Sequence, residues 1–184
     1  MHVVINSAED RMKKTLANLK DDFAALRTGR VSAALFDRIR VDCYGEKSPL
    51  NQVSNITIPE ARVVVIQPWD KNLIGDIEKA IRSSDLSVSP SNDGKVIRIN
   101  FPPLTGERRK EVAKVAKNQA EQARVSIRNI RRDGNDALKK MLKETSITED
   151  EESKASAELQ KITDNYINKV NQVLADKEKE IMED

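Results

Sequence analysis

The chain has 184 residues and a net charge of +2, and 34% of its residues are charged whereas only 3% are aromatic, which argues against an aromatic-rich core and favours long helices with charged outer faces. Its single cysteine, Cys43, excludes an intramolecular disulfide and fits a reducing compartment. No apolar run approaches the roughly 20 residues that a membrane helix needs, and no signal peptide is visible, so the expected location is the cytoplasm.

The first predicted element is a helix from Ser7 to Thr28, with Asn6 or Ser7 as its N-cap and Gly29 as its stop. Its apolar residues recur every three or four positions and share one narrow stripe: Met12, Leu16, Leu19, Phe23 and Leu26. Such a stripe is typical of a helix that packs in a coiled-coil-like bundle.

A small mixed β/α domain is predicted to follow, over residues 30–104. Period-two alternation and β-branched runs predict five strands, at 38–44, 53–58, 62–67, 86–89 and 95–101. The third of these is apolar enough to be the central strand. Asp70 is expected to cap a short helix with an apolar face formed by Leu73, Ile74, Ile77, Ala80 and Ile81. The Asn-Asp-Gly segment at 92–94 predicts a turn before the last strand. Trp69, which follows Pro68 at the end of a predicted strand, is expected to be partly buried.

Two long helices are predicted in the rest of the chain. The first begins after Thr105, its N-cap, and runs to about Glu144; the second begins at 148–151, Thr-Glu-Asp-Glu, which has the spacing of a capping box. Because a helix with a single apolar stripe is not stable alone, we expect residues 1–29 and 105–184 to form a long antiparallel three-helix bundle. The predicted fold class is therefore α+β, a bundle with an inserted domain.

Two short crossings join the bundle to the inserted domain. Both contain glycine or proline, and together they form a predicted hinge: Gly29, Arg30, Val31, Pro103, Leu104, Thr105 and Gly106. The alternative interpretation is that glycine and proline only end helices at these positions.

Charge is segregated along the second half of the sequence. Residues 107–143 hold twelve Lys/Arg against five Asp/Glu, whereas residues 144–184 hold five against twelve. In the basic segment, positive side chains recur at helical spacing on one face: Lys110, Lys114, Lys117, Arg124, Arg128 and Arg131. Arg132 widens this face, and only Glu121 interrupts it. A solvated surface is the ordinary alternative, but a single-signed, arginine-rich face favours binding along the phosphates of a folded RNA.

The sequence offers little for catalysis. His2 is the only histidine, so a zinc site is close to excluded, and no P-loop motif is present. Cys43 lies in a strand pattern, where a small packing residue is a better interpretation than a reactive thiol. We therefore expect a protein that is not an enzyme and that needs no cofactor or metal.

Five segments, in order along nearly the whole chain, match one known family. They are Arg27-Thr28-Gly29-Arg30; Glu78-Lys79-Ala80-Ile81 with Ser84-Asp85-Leu86; Pro102-Pro103-Leu104-Thr105 leading into Glu107-Arg108-Arg109-Lys110; Ala120-Glu121-Gln122-Ala123-Arg124-Val125 leading into Arg128-Asn129-Ile130-Arg131-Arg132-Asp133; and Leu174-Ala175-Asp176-Lys177-Glu178. With these segments the chain resembles the ribosome recycling factor family. Gly106 stands where that family usually has an acidic residue, and Gly134 where alanine is common. Since glycine in a helix costs about 1 kcal/mol relative to alanine, the helix is expected to be weakened near Gly134.

The resemblance implies that bundle and hinged domain form an L about the size of a transfer RNA. The bundle would bind the large ribosomal subunit across the A and P sites, and elongation factor G with GTP would then drive the small domain to split the subunits and release the mRNA. The positions that match the family's RNA contacts are Arg27, Arg30, Arg109, Arg128, Arg131 and Arg132. Because the GTPase supplies the energy, the chain itself would not need to catalyse a reaction. It is expected to be a monomer.

A second interpretation of the long helices is a coiled-coil adaptor or chaperone that grips protein clients. It requires exposed apolar patches at the helix tips, whereas the sequence has charged residues there. Ribosome recycling is therefore the function that we expect.

Overall fold

The computed structural model describes residues 2–183, and they form two compact units. The first unit combines the chain up to Phe23 with Ala113–Lys179, and the second combines Ala24–Val112 with the residues from Glu180 onward. Long helices build the first unit and a small sheet lies in the second, which confirms the predicted α+β class. Within residues 2–183, no helix is both long enough and apolar enough to cross a membrane.

Helix α1 spans His2–Ala24 and buries all of the predicted stripe except Leu26, which lies beyond the helix and is half-buried. Ile5 and Ala8 are also buried and continue the stripe toward the start of the chain, so the helix begins at His2 and the predicted N-cap at Asn6 or Ser7 is wrong. The helix ends before its predicted end at Thr28. The Thr28 hydroxyl donates to the backbone oxygen of Arg30 (3.0 Å), a local bond that competes with continued helical pairing.

Helices α3 (Gly106–Lys143) and α4 (Glu149–Met182) begin at the caps that the sequence predicts. The Thr105 hydroxyl accepts a hydrogen bond from the N–H three residues later, at 3.1 Å. In the capping box, the Glu151 N–H donates to Thr148 Oγ1 at 3.2 Å, and the Thr148 N–H donates to Glu151 Oε2 at 2.8 Å. The segment 144–147 between them is a turn, so the second half of the chain follows its predicted outline.

Gly134 does not interrupt α3, which is continuous over 38 residues. A Cβ built at Gly134 would lie 2.7 Å from Leu159 Cδ2 of α4, closer than carbon atoms approach in folded proteins. The expected weakening of the helix at this position stays a prediction, because continuity of the helix does not measure its stability. The missing side chain allows α3 and α4 to approach closely at Leu159.

The second unit contains a four-stranded antiparallel sheet in the order β3-β4-β6-β5. Its strands are β3 (Ser54–Glu60), β4 (Val63–Pro68), β5 (Ser91–Asn92) and β6 (Ile97–Asn100). Strand β4 lies between β3 and β6, which confirms the prediction that this apolar segment is central. A hairpin of β1 (Arg40–Cys43) and β2 (Glu46–Pro49) forms a separate two-stranded sheet.

Helix α2 (Ile74–Arg82) buries the apolar face that the sequence predicts. Ile74, Ile77 and Ile81 belong to the same core cluster as Val64 and Ile66 of β4. Short 3-10 turns at Ala33–Phe36, Leu50–Gln52 and Lys71–Leu73 complete the unit. The second unit therefore has a hydrophobic core of its own.

The predicted strand at 86–89 is wrong. Ser87 has a φ of 51°, which lies outside the extended region, and Pro90 has no N–H to donate to a neighbouring strand. Pairing begins only at Ser91. The turn that follows is confirmed, because the Asn92 side chain accepts a hydrogen bond from the N–H of Gly94, whose φ is 87°.

Trp69 is 69% exposed, so the expectation of partial burial is wrong. Its backbone N–H donates to Val53 O at 3.1 Å, which keeps it in register with the sheet. Since side chains alternate between the two faces and Pro68 is buried, the indole points to solvent. The predicted cap at Asp70 is confirmed only in part. The Asp70 carboxylate accepts a hydrogen bond from the Asn72 N–H and so caps the 3-10 turn Lys71–Leu73, whereas α2 itself follows Leu73 without a side-chain cap.

Candidate nucleic-acid interface

The basic residues of α3 that lie in the first unit form two rows. The residues of the inner row are seven positions apart: Lys117, Arg124 and Arg131. The residues of the outer row are Lys114, Arg128 and Arg132, all exposed. Because successive helical residues are about 100° apart, the outer row lies farther round the helix from its buried side than the inner row does. The single basic face predicted from the sequence thus contains one row near the buried side of α3 and one row farther from it.

Polar side chains of α4 lie beside the inner row; they accept hydrogen bonds from its two arginines, whereas Lys117 stays 65% exposed. Lys117 Nζ lies 3.5 Å from Glu178 Oε1, Arg124 Nε donates to Asn171 Oδ1 at 2.8 Å, and Arg131 Nη1 donates to Gln160 Oε1 at 3.0 Å. As the residue numbers increase along α3, the numbers of their partners on α4 decrease, so the two helices run antiparallel. Only one of these three α4 partners is a carboxylate, but Arg124 is also paired with the Glu121 carboxylate of α3 at 2.8 Å. Two of the three inner-row cations are therefore partly neutralised, and part of the row's hydrogen-bonding capacity is used.

The residues of the outer row are exposed, and one of them, Arg128, lies near a carboxylate. Arg128 Nη1 lies 3.5 Å from Glu121 Oε1, which is long for a hydrogen bond to a charged group. Lys139 stands seven residues beyond Arg132 and is also exposed, so it extends the same row. It was not among the predicted contacts, although the seven-residue spacing in the sequence is a signal that could have identified it.

Glu121 is the single acidic residue among these basic side chains. Its Oε2 accepts a hydrogen bond from Arg124 Nη1 at 2.8 Å. That bond, together with the nearby charges of Arg124 and Arg128, holds the pKa of the Glu121 carboxyl below its ordinary value. The ionised carboxylate partly neutralises the middle of the face. The strongest positive potential is therefore expected toward its two ends, near Lys114 and Arg132.

Arg27, a predicted RNA contact, belongs to the second unit and is engaged within it. Its guanidinium donates to the Pro102 carbonyl oxygen and lies 5.1 Å from the ring centroid of Phe101, a cation–π geometry. Burial, and then the positive charges of Arg108 and Arg62, lower the pKa of this arginine from its ordinary value. Arg27 thus links the end of the first helix to the segment that leads into α3.

The other predicted contacts in the second unit are Arg30, Arg109 and Lys110. Arg30 and Lys110 are exposed, whereas Arg109 is half-buried and donates from Nη1 to Met182 O at 2.9 Å. Arg30 and Lys110 are therefore the members of this group whose charged ends are open to solvent. Their binding to RNA stays a prediction, as it does for the rows on α3.

The predicted hinge residues all lie within the second unit. Val31 and Leu104 are buried, and the Val31 N–H donates to Ala61 O at 3.0 Å. Thr28, just before the first crossing, is buried, and its single hydroxyl hydrogen is shared between Arg30 O at 3.0 Å and Glu180 Oε1 at 3.3 Å. The first crossing is therefore held by the contacts of Thr28 and Val31, and the second by the burial of Leu104. Motion about the crossings stays a prediction.

Residues 2–183 contain no group of three or more His, Cys, Asp or Glu side chains that could hold a metal ion. The second unit has a cleft of about 450 Å³ between α2 and the β1–β2 hairpin. It is lined by side chains of both signs, among them Arg38, Asp42, Lys79 and Asp85, and by neither histidine nor cysteine. Two serines, Ser83 and Ser84, also line the cleft, and their hydroxyls donate to the backbone oxygens of Lys79 and Ile81.

Comparisons with known sequences agree with the resemblance seen in the motifs. The model of the Ribosome recycling factor family matches residues 19–182. The Ribosome-recycling factor of Treponema denticola is 61% identical over 180 residues, which cover 98% of this chain and 97% of that protein. The Ribosome-recycling factor of Syntrophomonas wolfei is 53% identical over 180 residues, which again cover 98% of this chain and 97% of that protein.

Comparisons with solved structures agree as well. A solution structure of the ribosome recycling factor matches with a TM-score of 0.80 at 42% identity, covering 98% of this chain and 96% of that one. A second structure shows the T. thermophilus ribosome recycling factor and the E. coli elongation factor G bound to the E. coli post-termination complex. It matches with a TM-score of 0.67 at 46% identity, covering 99% and 98% of the two chains.

Proposed function

This chain belongs to the ribosome recycling factor family, and from that membership we propose that it binds the post-termination ribosome. With elongation factor G and GTP it promotes separation of the subunits and release from the mRNA. The support is the family match over nearly the whole chain, and the solved relative that is bound together with elongation factor G to a post-termination complex. No observation favours the coiled-coil adaptor or chaperone.

The outer row of α3 is the proposed contact with ribosomal RNA on the large subunit, at the A and P sites. The observation that supports it most is the exposure of Lys114, Arg128 and Arg132 on one side of a helix in which the inner row is tied to α4. Arginine pairs with phosphate through two parallel N–H donors, and a regular row of such groups fits a nucleic-acid backbone. The inner row adds positive potential with fewer available donors.

The remaining predictions complete the proposal. Residues 1–29 and 105–184 act as the ribosome-binding bundle, and residues 30–104 act as a domain that moves about Gly29–Val31 and Pro103–Gly106. The chain works as a monomer in the cytoplasm. It catalyses no reaction, because the GTPase of its partner supplies the free energy.

The experiment that tests this function measures breakdown of purified post-termination complexes with elongation factor G and GTP. We expect subunit separation to require this chain. We also expect the Arg128→Ala, Arg132→Ala double variant to lose activity, because two phosphate contacts are removed. A matched control is Lys13→Ala with Lys20→Ala, which also removes two exposed positive charges. Both lie on α1, on the side opposite Arg11, and Arg11 is the residue that pairs with Asp133 of α3. Breakdown that is equally fast without the chain would refute the proposal.

A further inference from the structure

A row of uncharged residues lies beside the outer row of α3. Its members, here called the amide row, are Asn118, Gln122, Val125 and Asn129. Their spacing of four, three and four residues places them on one continuous face, and all four are exposed. From Lys114 to Lys143, the exposed positions of α3 outside this row are charged, apart from Val115. An uncharged strip on so strongly charged a helix needs a reason.

The geometry of an α-helix fixes the distance between the two rows. At about 100° per residue, the amide row lies roughly 65° round α3 from the outer row, on the side away from the inner row. On a helix of about 5–6 Å radius this angle corresponds to an arc of roughly 6 Å. A ligand that the outer row holds by its phosphates would therefore present its adjacent groups to the amide row.

The chemistry of the amide row identifies those groups. An asparagine or glutamine amide is both a donor and an acceptor, as is the 2′-hydroxyl of a ribose. The wide, shallow minor groove of an A-form RNA helix displays 2′-hydroxyls beside the phosphates. Lysine at these positions would seek further phosphates, and glutamate would repel them. Neutral amides with a valine between them suit a surface of hydroxyls and sugar carbons.

We propose that the amide row contacts ribose 2′-hydroxyls in the minor groove of the RNA helix whose phosphates the outer row binds. This inference rests on the proposed function and extends it, because it makes α3 selective for RNA over other polyanions. Phosphate contacts position a protein on a nucleic acid, but do not themselves separate RNA from DNA. Asn118 and Asn129, near the two ends of the row, are the residues whose amides give that selectivity.

The test compares the binding of a short RNA duplex with that of the same duplex carrying 2′-O-methyl groups, which removes the hydroxyl donor. Unchanged protein should bind the unmodified duplex more tightly. The Asn118→Ala, Asn129→Ala variant should lose roughly fivefold or more of this preference, with an unchanged slope of log affinity against log salt. Both substitutions favour the helix, so folding is maintained. The matched control, Asn165→Ala with Asn168→Ala, replaces two exposed asparagines of α4 and should leave the preference intact.

Two sets of outcomes would overturn the inference and can be told apart. Equal binding of the two duplexes by unchanged protein, or an unaltered preference in the Asn118→Ala, Asn129→Ala variant, refutes the amide row while leaving the proposed function in place. Failure of unchanged protein to bind large ribosomal subunits refutes the proposed function, and the inference with it. A protein partner on this face would give the first result, because its binding does not depend on ribose chemistry.

Discussion

Gly134 of α3 faces Leu159 of α4 so closely that a single added methyl group would overlap with it. The distance from a Cβ at 134 to Leu159 Cδ2 would be 2.7 Å, and Leu159 is completely buried. Although Leu159 Cδ2 ends a side chain, its surroundings leave it little room to move. Glycine at this position therefore sets how closely the two helices of the candidate interface approach.

Gly134→Ala should lower the free energy of unfolding by up to about 2 kcal/mol, because an overlap in a packed core costs about 1–3 kcal/mol and the gain in helix propensity is only about 1 kcal/mol. Denaturant titration measures this change. Gly106→Ala is the control, since nothing lies within 4 Å of a Cβ there. Adding Leu159→Ala should make the Gly134→Ala change less costly. A Gly134→Ala protein more stable than the unchanged chain would contradict the close-packing explanation.

Arg27→Ala should destabilise the second unit by about 1–2 kcal/mol, since it removes a cation–π contact with Phe101 and a hydrogen bond to Pro102 O. Arg27→Lys should not restore the loss, because an ammonium group lacks the planar fork of the guanidinium. Thermal unfolding gives the comparison, with Arg30→Ala as an exposed control. If Arg27 serves only to bind RNA, its alanine variant will unfold at the same temperature as the unchanged chain.

The carboxyl of Glu121 should titrate below the ordinary range of a glutamate, as followed by NMR of its side-chain carbon. Arg124→Ala should raise this pKa more than Arg128→Ala, because the Arg124 hydrogen bond is the larger cause and the shorter contact. With its folded pKa depressed, Glu121 contributes stability above the ordinary glutamate pKa. That contribution disappears as the pH falls through the lower folded value. Equal titration in the two arginine variants would rule out this arrangement.

Glu121→Gln should tighten binding to RNA of any sequence and make its salt dependence steeper, because Arg124 and Arg128 are freed from a neutralising partner. Filter binding to an unrelated RNA duplex over a range of salt concentrations measures both effects. Glu158→Gln makes the same change of charge at an exposed position of α4 and should have a smaller effect. Weaker binding by Glu121→Gln would mean that the carboxylate positions the arginines and does not compete for them.

Much of the fold is predictable because its patterns are local. The period of the apolar residues predicts the three long helices, and the Thr148–Glu151 capping box locates the start of α4. The strand at 86–89 was predicted wrongly because alternation does not reveal a backbone torsion such as that of Ser87. The sequence contains the signal for the true start of α1, because Ile5 and Ala8 continue the spacing of the stripe, but the polar pair Asn6 and Ser7 resembles an N-cap and favours a later start.

The candidate interface was predictable as a set of residues but not as two rows. A helical wheel places Arg124 and Arg128 relative to the buried face of their own helix. It does not show that Asn171 of α4 reaches Arg124 and leaves Arg128 more open. The role of Gly134 could not be predicted for the same reason, since it depends on the position of Leu159 in the neighbouring helix α4.

The most direct test of the proposed RNA contact is the salt dependence of binding to purified large ribosomal subunits. Each phosphate contact contributes roughly 0.9 to the slope of log affinity against log salt. The Arg128→Ala, Arg132→Ala variant should therefore bind more weakly with a slope smaller by about 2, while Lys13→Ala with Lys20→Ala keeps the original slope. An affinity and a slope equal to those of the unchanged chain would show that the outer row does not bind ribosomal RNA.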